Sequence, residues 1–492
     1  MQYILALDQG TTSSRAILYN EQGKPCFRAQ EEFKQYYPQS GWVEHDPRDI
    51  FSSQLAVAQK VLAQTGSDDE LLALGITNQR ETSILWDKQT GKPLGNAIVW
   101  QDRRTAGFCE KLKAAGVEEK IIKKTGLLLD PYFSATKIHW LLENIEGARK
   151  KAEDGELLFG TVDSWLIWQL TKGAVHATDV TNASRTLLYN IHQLKWDEEL
   201  LDLFGIPEAV LPQVKNTCDD FGEAQIGNWQ IPIRAVAGDQ QAALFGQRCT
   251  EKSMVKCTYG TGCFMIMNTG KKAVYSKHKL LTTIAWKIGE QVNYGLEGSV
   301  FVGGAIIQWL RDELKFFNKA EESESIAREV DDSNGVVFVP ALAGLGAPYW
   351  DPTAKGTVFG ITRGTRAAHI TRSALDSIAL QVNDILETMN RDLGKPIKEL
   401  RVDGGATGNN LLLQLQADYS NVVVQRPKDQ ETTALGAALL AGIAVGAWTL
   451  NDLDDYWQED RSFNPETTEE KRKATVDRWK EAVSRTQNWP DE

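Results

Sequence analysis

The sequence predicts an α/β protein whose two halves repeat the same elements and close on a shared cleft. Three observations predict it: helical and strand-like stretches alternate, one Gly/Thr-bearing hairpin occurs in each half, and no low-complexity linker separates the halves. Helical periodicity over residues 50–64 and 370–391, set between short apolar runs with polar turns, is the pattern of strands covered by helices. At 492 residues the chain exceeds the usual domain size of about 100–200 residues, so more than one domain is expected.

Taken in order, residues 3–8 read as a strand, 9–13 as a polar turn and 14–20 as a second strand, with a third strand after a Gly turn. Residues 254–258, the turn 259–262 and residues 263–268 repeat that order. A second echo is expected between two strand–turn–helix units. Residues 233–238 run into Asp239 and a small-residue helix; residues 400–403 run into Gly404, Gly405 and the helix 409–419. Two echoes in the same order predict a duplication with its boundary near 246–252, hence domains at 1–248 and 249–492. The apolar stretch 434–450 is short for a membrane span and rich in Ala and Gly, so a packed internal helix is expected there.

A formal net charge of −12 excludes a general nucleic-acid binder, because nothing basic is left over to neutralise a phosphate backbone. One local nucleotide site remains compatible with it. The six cysteines form no Cys-x-x-Cys pair and the six histidines never take metal-ligand spacing. A structural zinc is therefore not expected, and reduced thiols in a cytoplasmic protein are the simplest reading. The start MQYILALDQG has neither a basic region nor a small-residue cleavage site, so no signal peptide is expected.

The Gly-Lys pairs are never followed by Ser or Thr, no Gly-x-Gly-x-x-Gly opens a helix after a strand, and protein-kinase loops are absent. What remains is Asp8-Gln9-Gly10-Thr11-Thr12-Ser13-Ser14-Arg15, a carboxylate at a strand end followed by a glycine and a run of hydroxyls. Such a turn can cradle phosphate oxygens while the carboxylate holds hydrated Mg²⁺; it can equally be a polar hairpin. Gly260-Thr261-Gly262 stands at the matching turn, so two hairpins could close on a phosphate chain. Gly404, Gly405 and Asn409 would let a flat base or ribose lie on the backbone, or simply form a capped turn. Asp239 ends an apolar strand and opens a helix, which suits a catalytic carboxylate in the cleft and also an ordinary helix cap. Arg80 and Glu81, in a run of five polar residues after an apolar strand, could read neighbouring hydroxyls or form a surface loop. Trp100 and Phe264 could wall the carbon–hydrogen faces of a polyol, although most of the 15 tryptophans must be core.

Together the three Gly-rich loops resemble the phosphate-1, phosphate-2 and adenosine elements of the sugar kinase/actin/heat-shock-70 superfamily, and the closer resemblance is to the FGGY carbohydrate kinases. The stretch from Tyr132 through Lys137 and Trp140 to Asn144 resembles the first signature of that family, and the stretch from Gly356 to Asp376 the second. LDQGTTSSR, GWVEHDP, GITNQRET, VWQDRRT, AGDQQAALFGQ, TYGTGCFMIMNTG and VDGGATGNN stand in the order of the members that phosphorylate glycerol. The resemblance covers essentially the whole chain.

It implies two ribonuclease H-like (actin-like ATPase) domains around a central cleft and ATP-dependent phosphorylation of glycerol to sn-glycerol 3-phosphate with Mg²⁺. A pentulose or other polyol kinase is the alternative, disfavoured because those relatives usually carry a different loop where Gln79-Arg80-Glu81 stands. Asp239 is implied as the base. Arg80, Glu81, Tyr132, Asp239 and Gln240 are implied to hold glycerol, with Trp100 and Phe264 on its carbons. Thr11, Thr12, Ser13, Arg15, Thr261, Gly304, Gln308, Gly405 and Asn409 are implied to hold the nucleotide, and Asp8 and Asp239 the metal through water. A cytoplasmic homo-oligomer, dimer or tetramer, is implied as well. Some bacterial members are inhibited by fructose 1,6-bisphosphate through a basic Gly-rich loop; residues 225–230 here carry no Lys or Arg, so that control is not expected. Control by histidine phosphorylation is not expected either, since no His lies between His192 and His278.

Overall fold

The computed structural model describes residues 1–452 and 456–490. The first half builds a six-stranded sheet from β1 (Gln2–Gln9), β2 (Ser13–Asn20), β3 (Pro25–Glu32), β4 (Glu70–Asn78), β5 (Glu223–Ile226) and β6 (Trp229–Gly238), in the order β5-β6-β4-β1-β2-β3. The second half builds a seven-stranded sheet from β7 (Val255–Tyr259), β8 (Cys263–Gly270), β9 (Leu281–Ile288), β10 (Gln291–Val300), β11 (Glu399–Asp403), β12 (Val423–Pro427) and β13 (Glu459–Phe463), in the order β9-β10-β8-β7-β11-β12-β13. Each sheet starts with an antiparallel hairpin whose first strand is flanked on its other side by two successive parallel strands. The halves are thus duplicates, with β7, β8, β10, β11 and β12 in the places of β1, β2, β3, β4 and β6.

That topology corrects the second sequence echo. Residues 233–238 belong to β6, whose counterpart is β12, whereas residues 400–403 belong to β11, whose counterpart is β4. Parallel strands near the middle of a covered sheet share an apolar composition, and the two confused here also end in Gly and Asp, so composition alone could not assign their slots.

Helices cover both sheets; those that position the site are α1 (Pro47–Leu62), α2 (Ser134–Asn144), α3 (Val162–Leu170), α4 (Asp239–Gly246), α5 (Ala305–Asp312), α6 (Ala367–Leu393), α7 (Asn410–Ser420) and α8 (Thr432–Ala444). β1 reads as an unbroken apolar run because both its faces are buried. Leu5 and Leu7 pack with Ile50 and Val57 of α1 and Trp165 of α3, while Ile4 and Ala6 pack with α4 and α8. α8 belongs to the second half in sequence but lies against the first sheet and α4. It crosses α4 in backbone contact: a Cβ on Gly436 would come within 1.8 Å of the Ala242 carbonyl oxygen, and one on Gly246 within 2.0 Å of that of Thr432. The core around this crossing draws on both halves, from Ile4 and Phe245 to Ile266 and Leu439.

The expected helix over 434–450 stops at Ala444. Gly446 takes a left-handed φ of +73°, which ends the helix, and Trp448 folds back over Gly442 with its indole N–H donating to the Glu21 carbonyl at 2.8 Å. Among the described residues no helix is long and apolar enough to cross a membrane.

Candidate active site

Gln9, Asn78 and Gly238 are register partners across β1, β4 and β6, so Asp8, Arg80 and Asp239 leave the sheet along one edge. Ligands of open α/β sheets bind outside such carboxyl ends. Asp239 is the first residue of α4, the helix cap being Gly238, and its side chain is 27% exposed. Its Oδ1 accepts from the Gln240 backbone N–H at 2.7 Å and lies 3.2 Å from Arg80 Nε; its Oδ2 has no partner among the described residues. Gly238 is required for that approach, since a Cβ there would sit 2.6 Å from Arg80 Cδ. Burial pushes the Asp239 carboxyl above its ordinary range, against the opposing pull of Arg80 and Lys256. A carboxylate so placed is a stronger base than a free aspartate.

Arg80 and Glu81 are buried, not a surface loop. Arg80 forks onto Glu297, with Nη1 to Oε2 at 2.6 Å and Nη2 to Oε1 at 2.9 Å, and Nη1 also reaches Gln241 Oε1 at 3.1 Å. Glu81 adopts a φ of +61°, rare outside glycine, in a tight turn closed by the Thr82 N–H on the Arg80 carbonyl at 2.7 Å. Hydroxyls of Ser83 and Ser134 donate to the Glu81 carbonyl at 3.0 Å each and hold that conformation. Its Oε1 accepts from Arg185 Nε at 2.7 Å, and burial raises its carboxyl despite Arg185 and Arg80. Burial would raise Glu297 too, but Arg185 and Arg80 outweigh it and hold that carboxyl at about 2.

Tyr132 comes from the loop before α2, which is pegged by Lys137. That buried ammonium donates to the carbonyls of Pro131, Tyr132 and Phe133 at 2.7, 2.6 and 3.0 Å, and burial lowers its pKa to about 8. Trp100, Tyr132 and Phe264 meet edge-on, with ring centroids 5.6 Å apart in both Trp100 pairs, so the aromatic wall takes one ring from the second half. Trp100 also donates its indole N–H to Thr11 Oγ1 at 2.9 Å, tying this wall to the first turn. Gln240 accepts from Lys256, a fully buried cation of β7 whose ammonium also donates to Thr258 Oγ1 at 2.8 Å.

In the first turn the carbonyls of Gly10, Thr11 and Thr12 accept from Gln79, Gln35 and the Phe33 N–H at 3.0, 3.0 and 3.2 Å. The backbone N–H groups of Thr11 and Thr12 then have no partner among the described residues, as an anion cradle requires. Ser13 Oγ accepts from Gln30 at 3.0 Å. Arg15 is engaged by Asp8 at 3.2 Å, by Glu431 and by Gln30, so a phosphate would have to displace Glu431 from it. Asp8 is pushed up to about 6 by burial, which outweighs Arg15 and is reinforced by Glu431 and Asp239.

Thr261, Gly304, Gln308, Gly405 and Asn409 all line one cavity of about 440 Å³ in the second half. The turn is stitched to α5, the carbonyls of Gly260 and Thr261 accepting from Gly304 and Gly303 at 2.8 Å each. A Cβ on Gly405 would meet nothing within 4 Å, so this glycine borders open space. Asn409 is both helix cap and cavity lining. Its Oδ1 accepts from the Leu412 N–H at 2.9 Å, and its amide nitrogen donates to Ser323 Oγ at 3.5 Å, a long bond that leaves the second N–H for a ligand.

Sequence reasoning missed Arg185, Glu297, Lys256 and Glu431. Glu297 left a signal as the one charged residue of β10, and Lys256 as the one charged residue of β7. Arg185 and Glu431 left none, because each sits among polar neighbours whose partners come from distant sequence.

Residues 3–246 match the FGGY family of carbohydrate kinases, N-terminal domain, and residues 255–445 match its C-terminal domain. A glycerol kinase of Paraburkholderia xenovorans (strain LB400) is 57% identical over 494 residues, covering 100% of this chain and 99% of its own length. One from Deinococcus radiodurans is 56% identical over 495 residues, with the same coverage. The solved Plasmodium falciparum glycerol kinase with ADP superimposes with a TM-score of 0.91 at 38% identity, over 100% of this chain and 99% of the other. A xylulose kinase from Lactobacillus acidophilus shares the fold, with a TM-score of 0.89 at 22% identity over 99% and 98% of the two chains.

Proposed function

The chain belongs to the FGGY family of carbohydrate kinases, and from that premise we propose that it transfers the γ-phosphoryl group of ATP to glycerol, giving sn-glycerol 3-phosphate. The observation that carries the reading is the placement of Asp239. It is a half-buried carboxylate with one oxygen uncommitted among the described residues, beside a fixed Arg80–Glu81 pair and on the same sheet edge as the first turn.

A primary alcohol is a poor nucleophile, and the phosphate it attacks is surrounded by negative charge. Arg80 donates to one hydroxyl of glycerol and Glu81 accepts from another, Tyr132 and Gln240 complete the polar contacts, and Trp100 and Phe264 cover the carbons. Asp239 Oδ2 takes the proton of the attacking hydroxyl as the new P–O bond forms and the bond from the γ-phosphorus to the bridging oxygen breaks, with ADP leaving. Thr11, Thr12, Ser13 and Thr261 hold the phosphates, while Arg15, once released from Glu431, stabilises the charge that develops on the transferring group. Gly304, Gln308, Gly405 and Asn409 hold the nucleoside.

Asp8 and Asp239 are the residues that would hold Mg²⁺. The fit lies in their chemistry: two hard carboxylates that repel each other across the cleft, with no cluster of three ligating side chains among the described residues. That suits an ion that keeps most of its waters. When bound, it neutralises phosphate charge.

We place the boundary between the kinase domains at 248/249, with residues 453–455, 491 and 492 of the second lying outside the described residues. We further place the enzyme in the cytoplasm as a homo-oligomer, a dimer or tetramer. The test is ATP-dependent product formation across glycerol, xylulose, ribulose and erythritol, with position-specific analysis of the phosphate. Glycerol is expected to be the preferred acceptor and sn-glycerol 3-phosphate the product. Preference for a ketopentose would overturn the reading.

A further inference from the structure

Glu297 stands outside every motif that marks the site, yet it is the point where the acceptor-binding residues join. It projects from β10 of the second half, is fully buried, and its two oxygens serve two arginines of the first half. Oε2 takes Arg80 Nη1 and Oε1 takes Arg80 Nη2, so the guanidinium is gripped along one edge and its Nε is left toward Asp239. Oε1 also accepts from Arg185 Nη2 at 2.9 Å, and the Nε of that same Arg185 holds Glu81 Oε1. One carboxylate therefore anchors the donor directly and the acceptor through a single planar link. Among the described residues Arg185 Nη1 is buried without a hydrogen-bond partner, and the guanidinium lies over the rings of Tyr132 and Phe133.

We infer that Glu297 is a specificity-determining positioning residue: it fixes the spacing between Arg80 and Glu81 and thereby selects which primary alcohol of glycerol is phosphorylated. The inference rests on the proposed glycerol reading and adds to it. The two primary alcohols of glycerol are chemically identical until bound, so their discrimination depends wholly on how rigidly two hydroxyls are held while the third faces the phosphorus. A bidentate Arg–carboxylate grip removes the rotation that would let Arg80 bond glycerol in its mirror arrangement. A purely structural Glu297, present only to neutralise two buried cations, would affect folding and leave product stereochemistry alone.

The experiment compares the full-length wild type with Glu297→Gln and Glu297→Asp, measuring glycerol kinetics, KM for ATP and the ratio of sn-3 to sn-1 phosphate. In Glu297→Gln, kcat/KM for glycerol is expected to fall about 10²-fold. KM for ATP should stay within about twofold, because Glu297 is not among the residues that line the second-half cavity. The sn-1 isomer should rise to on the order of a tenth of the product. Glu297→Asp keeps the charge but draws the carboxylate back by one methylene, so it decides the matter where the glutamine variant does not fold. It should show the same loss of stereochemical purity in smaller degree. Pure sn-3 product from a folded variant, with kcat/KM near that of the wild type, would overturn the inference. A wild type that fails on glycerol would instead sink the proposed function, so the two failures are told apart.

Discussion

At the end of β4 the chain places Arg80 and Glu81, and at the matching end of β11 it places Gly404 and Gly405. The two loops occupy the same slot of a duplicated sheet, yet one is packed with buried charge and the other is emptied of side chains. In the first, Arg80, Glu81, Arg185 and Glu297 pair with one another beside a backbone turn at a positive φ. In the second, Gly404 packs its backbone against Tyr259 and Gly405 borders a cavity of about 440 Å³. The difference follows from what each loop is proposed to hold. A small polyol offers only hydroxyls, which must be met by donors and acceptors fixed in place, whereas a nucleoside offers broad flat faces, which mainly need room.

That contrast can be broken most severely at Arg80. Arg80→Ala leaves Glu297 buried beside a single arginine. It should cost about 3–5 kcal/mol of stability by denaturant unfolding, and turnover of glycerol should be lost. An unfolding midpoint equal to that of the wild type would show that the charged loop is not mutually dependent. The glycine loop should respond in the opposite way. Gly405→Leu should fold with a stability change within about 0.5 kcal/mol, because a side chain there meets open space. It should nevertheless weaken ATP binding by about tenfold or more, roughly 1.4 kcal/mol, measured by titration calorimetry. Unchanged ATP affinity would remove the glycine loop from the nucleotide site.

The smallest effect is on pH dependence. The folded-state pKa of Glu297 is depressed to about 2, so its contribution to stability is complete above the ordinary glutamate range and is lost as pH falls toward 2. The stability gap between wild type and Glu297→Gln should therefore narrow between pH 6 and pH 3.5, read by urea unfolding at each pH. A gap that widens on acidification would mean that the carboxyl is not held ionised by its arginines.

Much of this was legible in the sequence because its signals are local. The two hairpins, Asp239 at a strand-to-helix junction and Gly405 before Asn409 are each set by a few adjacent residues, and five of the predicted nucleotide residues line one cavity. The buried network was not legible. Arg185 reaches Glu81 across 104 residues and Glu297 reaches Arg80 across 217, and nothing in either neighbourhood encodes the partner. Trp100 shows the same limit: it stands edge-on to Tyr132 and Phe264, but its bond to Thr11 spans 89 residues. The mis-paired echo of 233–238 with 400–403 has a different origin. Strand composition reports burial on two faces, and several slots of a parallel sheet share that burial, so the slot is set by pairing alone.

The role of Asp239 is tested most directly by replacing its carboxylate with an amide of the same shape and watching a single turnover. Rapid-quench measurement on Asp239→Asn, with MgATP and glycerol raised until both sites are filled, isolates the chemical step. Glycerol phosphate should form about 10²- to 10⁴-fold more slowly, the range expected for loss of a general base. Phosphoryl transfer at the wild-type rate in that variant would contradict the account.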